Sequence, residues 1–418
     1  MLIKQKLEYP IWKIPYFFIK SLIIFFQIIR TGILTLLIEN KYFNKQIKLI
    51  LKILNFILGN KNKKKIGKKL LNCLINLGPG YIKFGQALST RPDILGKKTC
   101  DELKTLQYDL KPILNSIPKK IIHNENKNLL QENLASFDEN PIASASVAQV
   151  HTAVLKNGKK VAIKLLKPNI HKQLFRDFTF FYWATRCLEF CFPGIKRLKL
   201  SKNVEILSEV SLNELDLTLE ASAADELAEN FKDHPNYKVP KIYWEFTTKN
   251  MLVLEFIEGI RIDDLESLSA SKHNIKKLTE IGTEVFFLQV FRDGFFHGDM
   301  HPGNILIDKK GNLVPIDFGI MGRLSNKDRQ FLALLLTYLL DKNYKKVVEI
   351  HHEANMLGKD ISHDHLSQAI RAISTPILNK PIGEVSLAKL LGQILSLSKK
   401  FNIEVQPQFT LLQKTMLM

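Results

Sequence analysis

Hydrophobic and polar positions along the chain predict a helical front, a strand-rich middle and a helical end. From Tyr9 to Ile38 the residues are mostly Phe, Ile and Leu, but Lys20, Gln27 and Arg30 interrupt them. No run of about 20 uncharged apolar residues survives, so a membrane-spanning helix is not predicted. On a helical wheel Lys20, Gln27, Arg30 and Thr31 share one sector while bulky residues fill the rest. That pattern suits a helix lying in a bilayer interface, and equally a helix packed on the protein's own core. A secretory leader fits less well, because no small-residue cleavage site follows.

Leu70 to Leu110 reads as helical, with Gly78-Pro79-Gly80 ending one helix and Pro79 suited to the first turn of the next. Lys83 and Gln86 are three apart on that second helix and share a face. Ile142 to Val154 and Lys160 to Leu166 alternate as strands around an Asn157-Gly158 turn. Met251 to Gly259 reads as a buried strand running into a turn, and Ile275 to Asp293 as an amphipathic helix. Ile305 to Ile307 and Leu313 to Ile316 form two short strands around Lys309-Lys310-Gly311-Asn312. Beyond Arg323 the pattern is helical, with Tyr338, Leu339 and Leu340 in a core and with Pro376 and Pro381 breaking the helices.

At 418 residues the chain has room for two or three domains, and its composition is that of a globular protein. Lys and Arg number 60 against 41 Asp and Glu, a net charge of +19 that points to an anionic partner. Lysines in stretches such as Lys61 to Lys69 could equally be solvated faces, or the product of an A/T-rich coding bias. No nucleic-acid module accompanies the basic run, so membrane phosphate is the better match. Cys73, Cys100, Cys187 and Cys191 read as free thiols of a reducing compartment rather than as a disulfide frame or zinc site.

The candidate chemistry is concentrated between Phe296 and Gly319. Asp299 stands five residues before Asn304, and Asp317-Phe318-Gly319 follows the two short strands. This is the order of a protein-kinase catalytic loop and metal-binding tripeptide, with Asp299 as base and Asn304 and Asp317 on magnesium. Turn-forming Asp and Asn are common, but not in this combination. A rival use of His297, Asp299 and His301 in a two-metal phosphoesterase would need further His and Asp clusters, and the remaining histidines are scattered. Val161-Ala162-Ile163-Lys164 has the form of the strand that offers a lysine to nucleotide phosphates. A surface lysine is the plainer reading of Lys164 alone.

Several motifs in fixed order then resemble one family. They are Lys83-x-Gly85-Gln86, Ala143-Ser144-Ala145-Ser146-Val147-Ala148-Gln149-Val150-His151, Val161 to Lys164, Glu214-Leu215-Asp216, His297-Gly298-Asp299-Met300-His301-Pro302-Gly303-Asn304 and Glu404 to Gln408. Together they resemble the UbiB family, atypical kinase-like proteins that support ubiquinone biosynthesis, from about Leu70 onward. The resemblance implies an α/β (α+β), two-lobed protein-kinase-like fold with an N-terminal helical extension. It divides the chain into a membrane-associating amphipathic segment (1–60), the helical extension (61–136), a small lobe (137–258) and a C-terminally shortened large lobe (259–418). Relatives usually continue with more helices, often followed by a hydrophobic segment.

The same resemblance makes Ile142 to Val150 the nucleotide loop. It carries Ala and Ser where an ordinary kinase has Gly, and each added Cβ restricts the backbone and crowds the phosphates. It places Glu220 as the partner of Lys164, and Glu214 and Asp216 against the Lys83-Gln86 helix and the metal-phosphate region. An exposed acidic helix face is the plainer reading of these three. The implied cofactors are ATP and Mg²⁺. The expected activity is slow ATP hydrolysis or small-molecule phosphoryl transfer, with a pseudokinase lipid-binding or scaffold role as the alternative. The expected partners are membrane phospholipid, prenyl-phenol or quinone intermediates and other ubiquinone-biosynthesis proteins, not nucleic acid. The expected location is cytoplasmic, peripherally attached to the inner face of a bacterial-type plasma membrane. A flavin fingerprint or an iron facial triad, as a hydroxylase would require, is absent from the sequence.

Overall fold

The structure is a computed structural model. It describes residues 14–39, 66–89, 95–107, 116–125, 129–192, 199–271, 273–354, 356–358, 361–379 and 406–416, with a few single positions and short pieces between them. The expected breaker Pro381 and the Glu404-Val405 pair lie outside the described residues. Two compact units emerge, one of residues 1–219 and 243–256, the other of 220–242 and 257–418.

The first unit opens with helices α1 (Ile14–Arg30), α2 (Ile33–Glu39), α3 (Ile66–Leu77), α4 (Pro79–Ser89) and α5 (Lys97–Leu103). Gly78, at φ 114°, ends α3 in a conformation that favours glycine, and Pro79 opens α4 as its fixed φ allows. Two short helices, α6 (Ser116–Glu125) and α7 (Leu129–Asn133), lead to a five-stranded antiparallel sheet. Its strands are β1 (Leu134–Phe137), β2 (Ala143–Ser144), β3 (Ala148–Leu155), β4 (Lys160–Leu166) and, after helices α8 (Ile170–Cys191), α9 (Leu200–Asn213) and α10 (Leu217–Asn230), β5 (Met251–Glu255). The path across the sheet is β1-β3-β4-β5, with β2 on β3. Ile163, Leu165, Met251 and Val253 are fully buried in the sheet's apolar core.

The expected strand from Ile142 is split in two. Ala145 N–H bonds to Ala148 O at 2.9 Å and Ile142 N–H to Val150 O at 2.8 Å, which makes Ser146-Val147 the turn of a tight hairpin. Gly158, at φ 81°, closes the turn between β3 and β4.

Helix α1 packs on the first unit's own core, and of its polar sector Lys20 turns inward while Gln27 and Arg30 stay exposed. Phe17, Ile24 and Ile29 are buried, and the Phe17 ring lies 5.3 Å from that of Trp183 on α8. Lys20 Nζ reaches Asp177 Oδ1 at 3.1 Å, and Asp177 is only 1% exposed. Gly80 makes room for this carboxylate, since a Cβ there would come 2.5 Å from Asp177 Cβ. Burial pulls the Lys20 ammonium below its ordinary range, even against the opposing pull of Asp177. The opposite side of α1 leaves Phe18, Ile19, Leu22 and Ile23 more than half exposed.

The second unit contains all of α10 from Glu220 onward. It continues with β6 (Gly259–Arg261), α11 (Leu265–Ala270), α12 (Ile275–Phe287) with a π-helical extension Leu288–Asp293, and β7 (Phe295–His297). Then come β8 (Ile305–Asp308), β9 (Leu313–Pro315) and β10 (Met321–Arg323). Strand β6 pairs with β8, β8 with β9, and β7 with β10, all antiparallel. Gly311, at φ 86°, closes the β8–β9 turn.

Helices α13 (Asn326–Leu340), α14 (Tyr344–Glu353), α15 (His363–Leu378) and α16 (Pro407–Met416) follow. Ser325 and Asp328 cap α13 reciprocally, satisfying two backbone donors that the helix leaves open. Pro376 does not break its helix. It lies in the last turn of α15, and the helix runs only two residues further, to Leu378.

Removing one partner of the Lys20–Asp177 pair leaves an unpaired buried charge, which costs about 3–5 kcal/mol. Lys20→Met should therefore lower stability to urea by about that amount, while Lys20→Met/Asp177→Asn should recover a large part of it. Equal losses for the single and the double variant would show that the pair is unimportant.

Candidate active site

Within the second unit the loop after β7 and the segment after β9 are joined by a histidine. His297 is 1% exposed, and its ring uses both nitrogens on backbone groups. Asp299 N–H donates to Nδ1 at 3.1 Å, so the ring's proton lies on Nε2, which donates to Asp317 O at 2.5 Å. Burial pushes the imidazole below its ordinary 6.5 and outweighs the nearby Asp317 and Asp299 charges, so the ring is neutral. Gln289, buried on the π-helical turn, holds the His297 N–H with its Oε1 at 2.9 Å. A ring committed in this way has no nitrogen left for the two-metal arrangement considered above.

The three candidate metal-phosphate residues are ordered by this frame. Asn304 Nδ2 donates to Asp299 O at 3.1 Å across the 3-10 turn Pro302–Asn304. Ile316 N–H bonds to Asn304 O at 3.0 Å, which sets Asp317 beside the loop in sequence register. Gly319 N–H lies 3.3 Å from Asp317 Oδ1. Asp299 is 23% exposed, and its Oδ1 takes the ammonium of Lys414, from α16, at 2.8 Å. Glu220 is buried in the same unit, where its Oε1 accepts the Phe318 N–H at 3.3 Å. It thus braces the backbone next to Asp317.

In the first unit Lys164 stands mid-strand on β4, opposite Val150 on β3 and Leu252 on β5. The Ala-rich hairpin Ile142–Val150 is stiffened by Lys167, whose N–H bonds to Val147 O at 2.8 Å and whose ammonium bonds to Ala145 O at 2.6 Å. Lys167 escaped the sequence reading because a lysine just past a strand carries no signal of this kind. Lys83, 8% exposed, forms an ion pair with Glu214. Gln86 does not join them, since its Nε2 donates to Leu106 O at 3.0 Å and ties α4 to the turn after α5. Asp216 also has a local task. Its Oδ1 takes the Thr218 N–H at 3.1 Å and so caps α10, and Lys249 Nζ is 3.7 Å from Oδ2.

A family model described as the ABC1 atypical kinase-like domain matches residues 105–351, and one described as the UbiB helical domain matches residues 370–418. A relative named probable protein kinase UbiB, from Histophilus somni, is 39% identical over 92% of this chain and 72% of its own. The chain belongs to the UbiB family of ABC1 atypical kinase-like proteins. UbiB proteins of Cellvibrio japonicus and Pseudomonas aeruginosa are 39% and 37% identical, each over 84% of this chain. The chain spans 64% of the first of these and 67% of the second. Among solved structures, the complex of Rv3197 with erythromycin from Mycobacterium tuberculosis matches with a TM-score of 0.52 at 21% identity, covering 89% of this chain and 95% of that one. That likeness is one of fold, and the UbiB fold here is kinase-like.

Three histidines of the second unit, His297, His301 and His351, are all pulled below 6.5, with burial the largest cause in each. An unfolded chain binds more protons than the folded one just below that value, so stability falls as pH falls. Thermal unfolding followed from pH 7.5 down to 5.5 should show this loss, and His297→Gln should make the slope shallower. A wild-type stability that rises on acidification would contradict the neutral assignment.

Proposed function

We propose that this UbiB-family chain is an ATP-dependent phosphotransferase or ATPase that supports ubiquinone biosynthesis at a membrane surface. The observation that carries the reading is the His297 frame, which orders Asp299, Asn304 and Asp317 around one short stretch of backbone. Asn304 and Asp317 supply an amide oxygen and a carboxylate, the sparse donor set that Mg²⁺ uses when phosphate and water complete its shell. Among the described residues no group of three or more His, Cys, Asp and Glu could hold a metal by itself. Bound magnesium and ATP would supply a polarised γ-phosphoryl group. Lys164 is the residue that the family motif assigns to the phosphates. Asp299 would take the proton of the attacking hydroxyl or water, or orient it.

The Ala-rich hairpin supports a small-molecule acceptor or water rather than a protein substrate only through the family's pattern. A second reading, a nucleotide-binding scaffold without turnover, is favoured by two features. The hairpin uses the Ala145 and Ile142 amides internally, and the Asp299 carboxylate is held in an ion pair. ATP hydrolysis by the purified chain, with anionic vesicles and a phenolic lipid present, separates the two. Asp299→Asn should lower turnover about 10²-fold or more while leaving nucleotide binding largely intact. Equal turnover in the variant, or none in the wild type, would remove the catalytic reading.

The membrane part of the proposal rests on the outward face of α1. Phe18, Ile19, Leu22 and Ile23 form an apolar strip on a chain of net charge +19, as in a helix lying along an anionic surface. No described helix is long and apolar enough to cross a membrane. The surface proposed is the inner face of a bacterial-type plasma membrane, where prenyl-phenol or quinone intermediates and other proteins of the pathway would be met. Ile19→Asp/Ile23→Asp alters exposed positions only and should weaken co-sedimentation with anionic vesicles at least about tenfold. Unchanged co-sedimentation would place attachment elsewhere.

A further inference from the structure

Phosphoryl transfer needs positive charge near the oxygens that gain negative charge. The loop around Asp299 carries little of its own. Met300, Pro302 and Gly303 are uncharged, and His301 is kept toward its neutral form chiefly by burial. Arg261, which approaches Gly303, is bound in a two-pronged pair by Asp263 at 2.7 and 3.0 Å. The ammonium that reaches the Asp299 carboxylate comes from Lys414, 115 residues further along the chain.

Helix α16 is placed there by its own pattern. Phe409, Leu412 and Thr415 are buried, and the first two pack with Val290, Phe296 and Leu332. Leu411 lies against the backbone of Gly298, where a Cβ would come 2.9 Å from Leu411 Cδ2 and 3.0 Å from Ile320 Cγ2. A protein-kinase loop carries Arg between its His and Asp. Here the position is Gly298, and Leu411 fills the space beside it. Leu411 and Lys414 are three apart and share a face of the helix. The contact that seats Leu411 on Gly298 therefore also carries Lys414 to Asp299.

We propose that Lys414 is a positioning residue of the active site, held on the catalytic loop by Leu411 and fixing the Asp299 carboxylate through Oδ1. Among the described residues Oδ2 accepts no hydrogen bond, which leaves that oxygen for the proton to be taken. In the step served, the attacking hydroxyl or water bonds to the γ-phosphorus as the bridging bond to ADP breaks, and its proton passes to Asp299. Lys414 remains an ammonium throughout. Its charge holds the Asp299 carboxylate in place until the proton arrives.

The role rests on the ATP-turnover reading above, and the test keeps the two apart. Turnover of Mg-ATP is measured for the full 418-residue chain as wild type, Lys414→Met, Lys414→Arg, Asp299→Asn and the double variant Asp299→Asn/Lys414→Met. Lys414→Met should lower kcat about tenfold to a hundredfold while KM for ATP stays within about twofold. Lys414→Arg should regain a large part of the loss. In the Asp299→Asn background Lys414→Met should add nothing, because the two act as a unit.

Lys414→Met as fast as or faster than wild type would overturn the proposal, as would Arg no better than Met or a full further loss in the Asp299→Asn background. A wild-type chain without turnover would instead overturn the function and this role with it. Amine acylation read by peptide mass spectrometry then decides whether the pair itself exists. Lys414 should label several-fold faster in Asp299→Asn than in wild type, and equal labelling would show that no pair forms.

Discussion

The second unit depends on one side chain that touches no substrate. His297 accepts the Asp299 N–H on one nitrogen and donates to Asp317 O, twenty residues from the histidine, with the other, so two separate segments are held by a single flat ring. Because the ring is buried and neutral, this geometry survives only in one tautomer. A protonated ring would face the Asp299 N–H with a second N–H, and the loop would have to move. Gln289 and Glu220 act in the same sense, each fixing a backbone N–H beside a candidate ligand. The buried polar groups of this unit therefore shape backbone first, and the groups that would meet phosphate follow from it.

The first unit uses its buried charges differently. Lys20–Asp177 fixes the front helix on α8, and Lys83–Glu214 links α4 to the end of α9. Charge at these points selects one docking of each helix over others, since a slipped register would leave a buried carboxylate unpaired. The cost of that selectivity is visible in Asp177, whose Oδ2 has no hydrogen-bond partner among the described residues.

Much of this was legible from the residues, for a reason that differs by element. The spacing of Asp299 and Asn304 could be read because the contact between them spans a single turn, and the β8–β9 hairpin because Gly311 and the flanking alternation are local signals. The Gly78-Pro79 junction was legible on the same ground. The hydrogen-bond partners of Gln86 and Asp216 were not legible, because their motifs say nothing of them. One bonds a carbonyl twenty residues away, and the other caps the helix that begins next to it. The wheel of α1 left open whether the helix lies along a bilayer or on the protein's own core, and the residue that draws Lys20 inward, Asp177, stands on a helix far along the chain. Pro376 was read as a breaker, but the helix continues through it for two residues before ending. Lys414 carried no signal, since nothing local distinguishes it from the other lysines of so basic a chain.

The ring of His297 offers the most direct test. Nitrogen-15 NMR of histidine-labelled protein, with the signals assigned by their loss in His297→Gln, reports tautomer and charge at that residue. A neutral ring protonated on Nε2, with Nδ1 as acceptor and no titration as pH falls through 6.5, is the result expected. An imidazolium near that pH, or a proton on Nδ1, would mean that the ring does not join the two segments and that the order of Asp299, Asn304 and Asp317 has another cause.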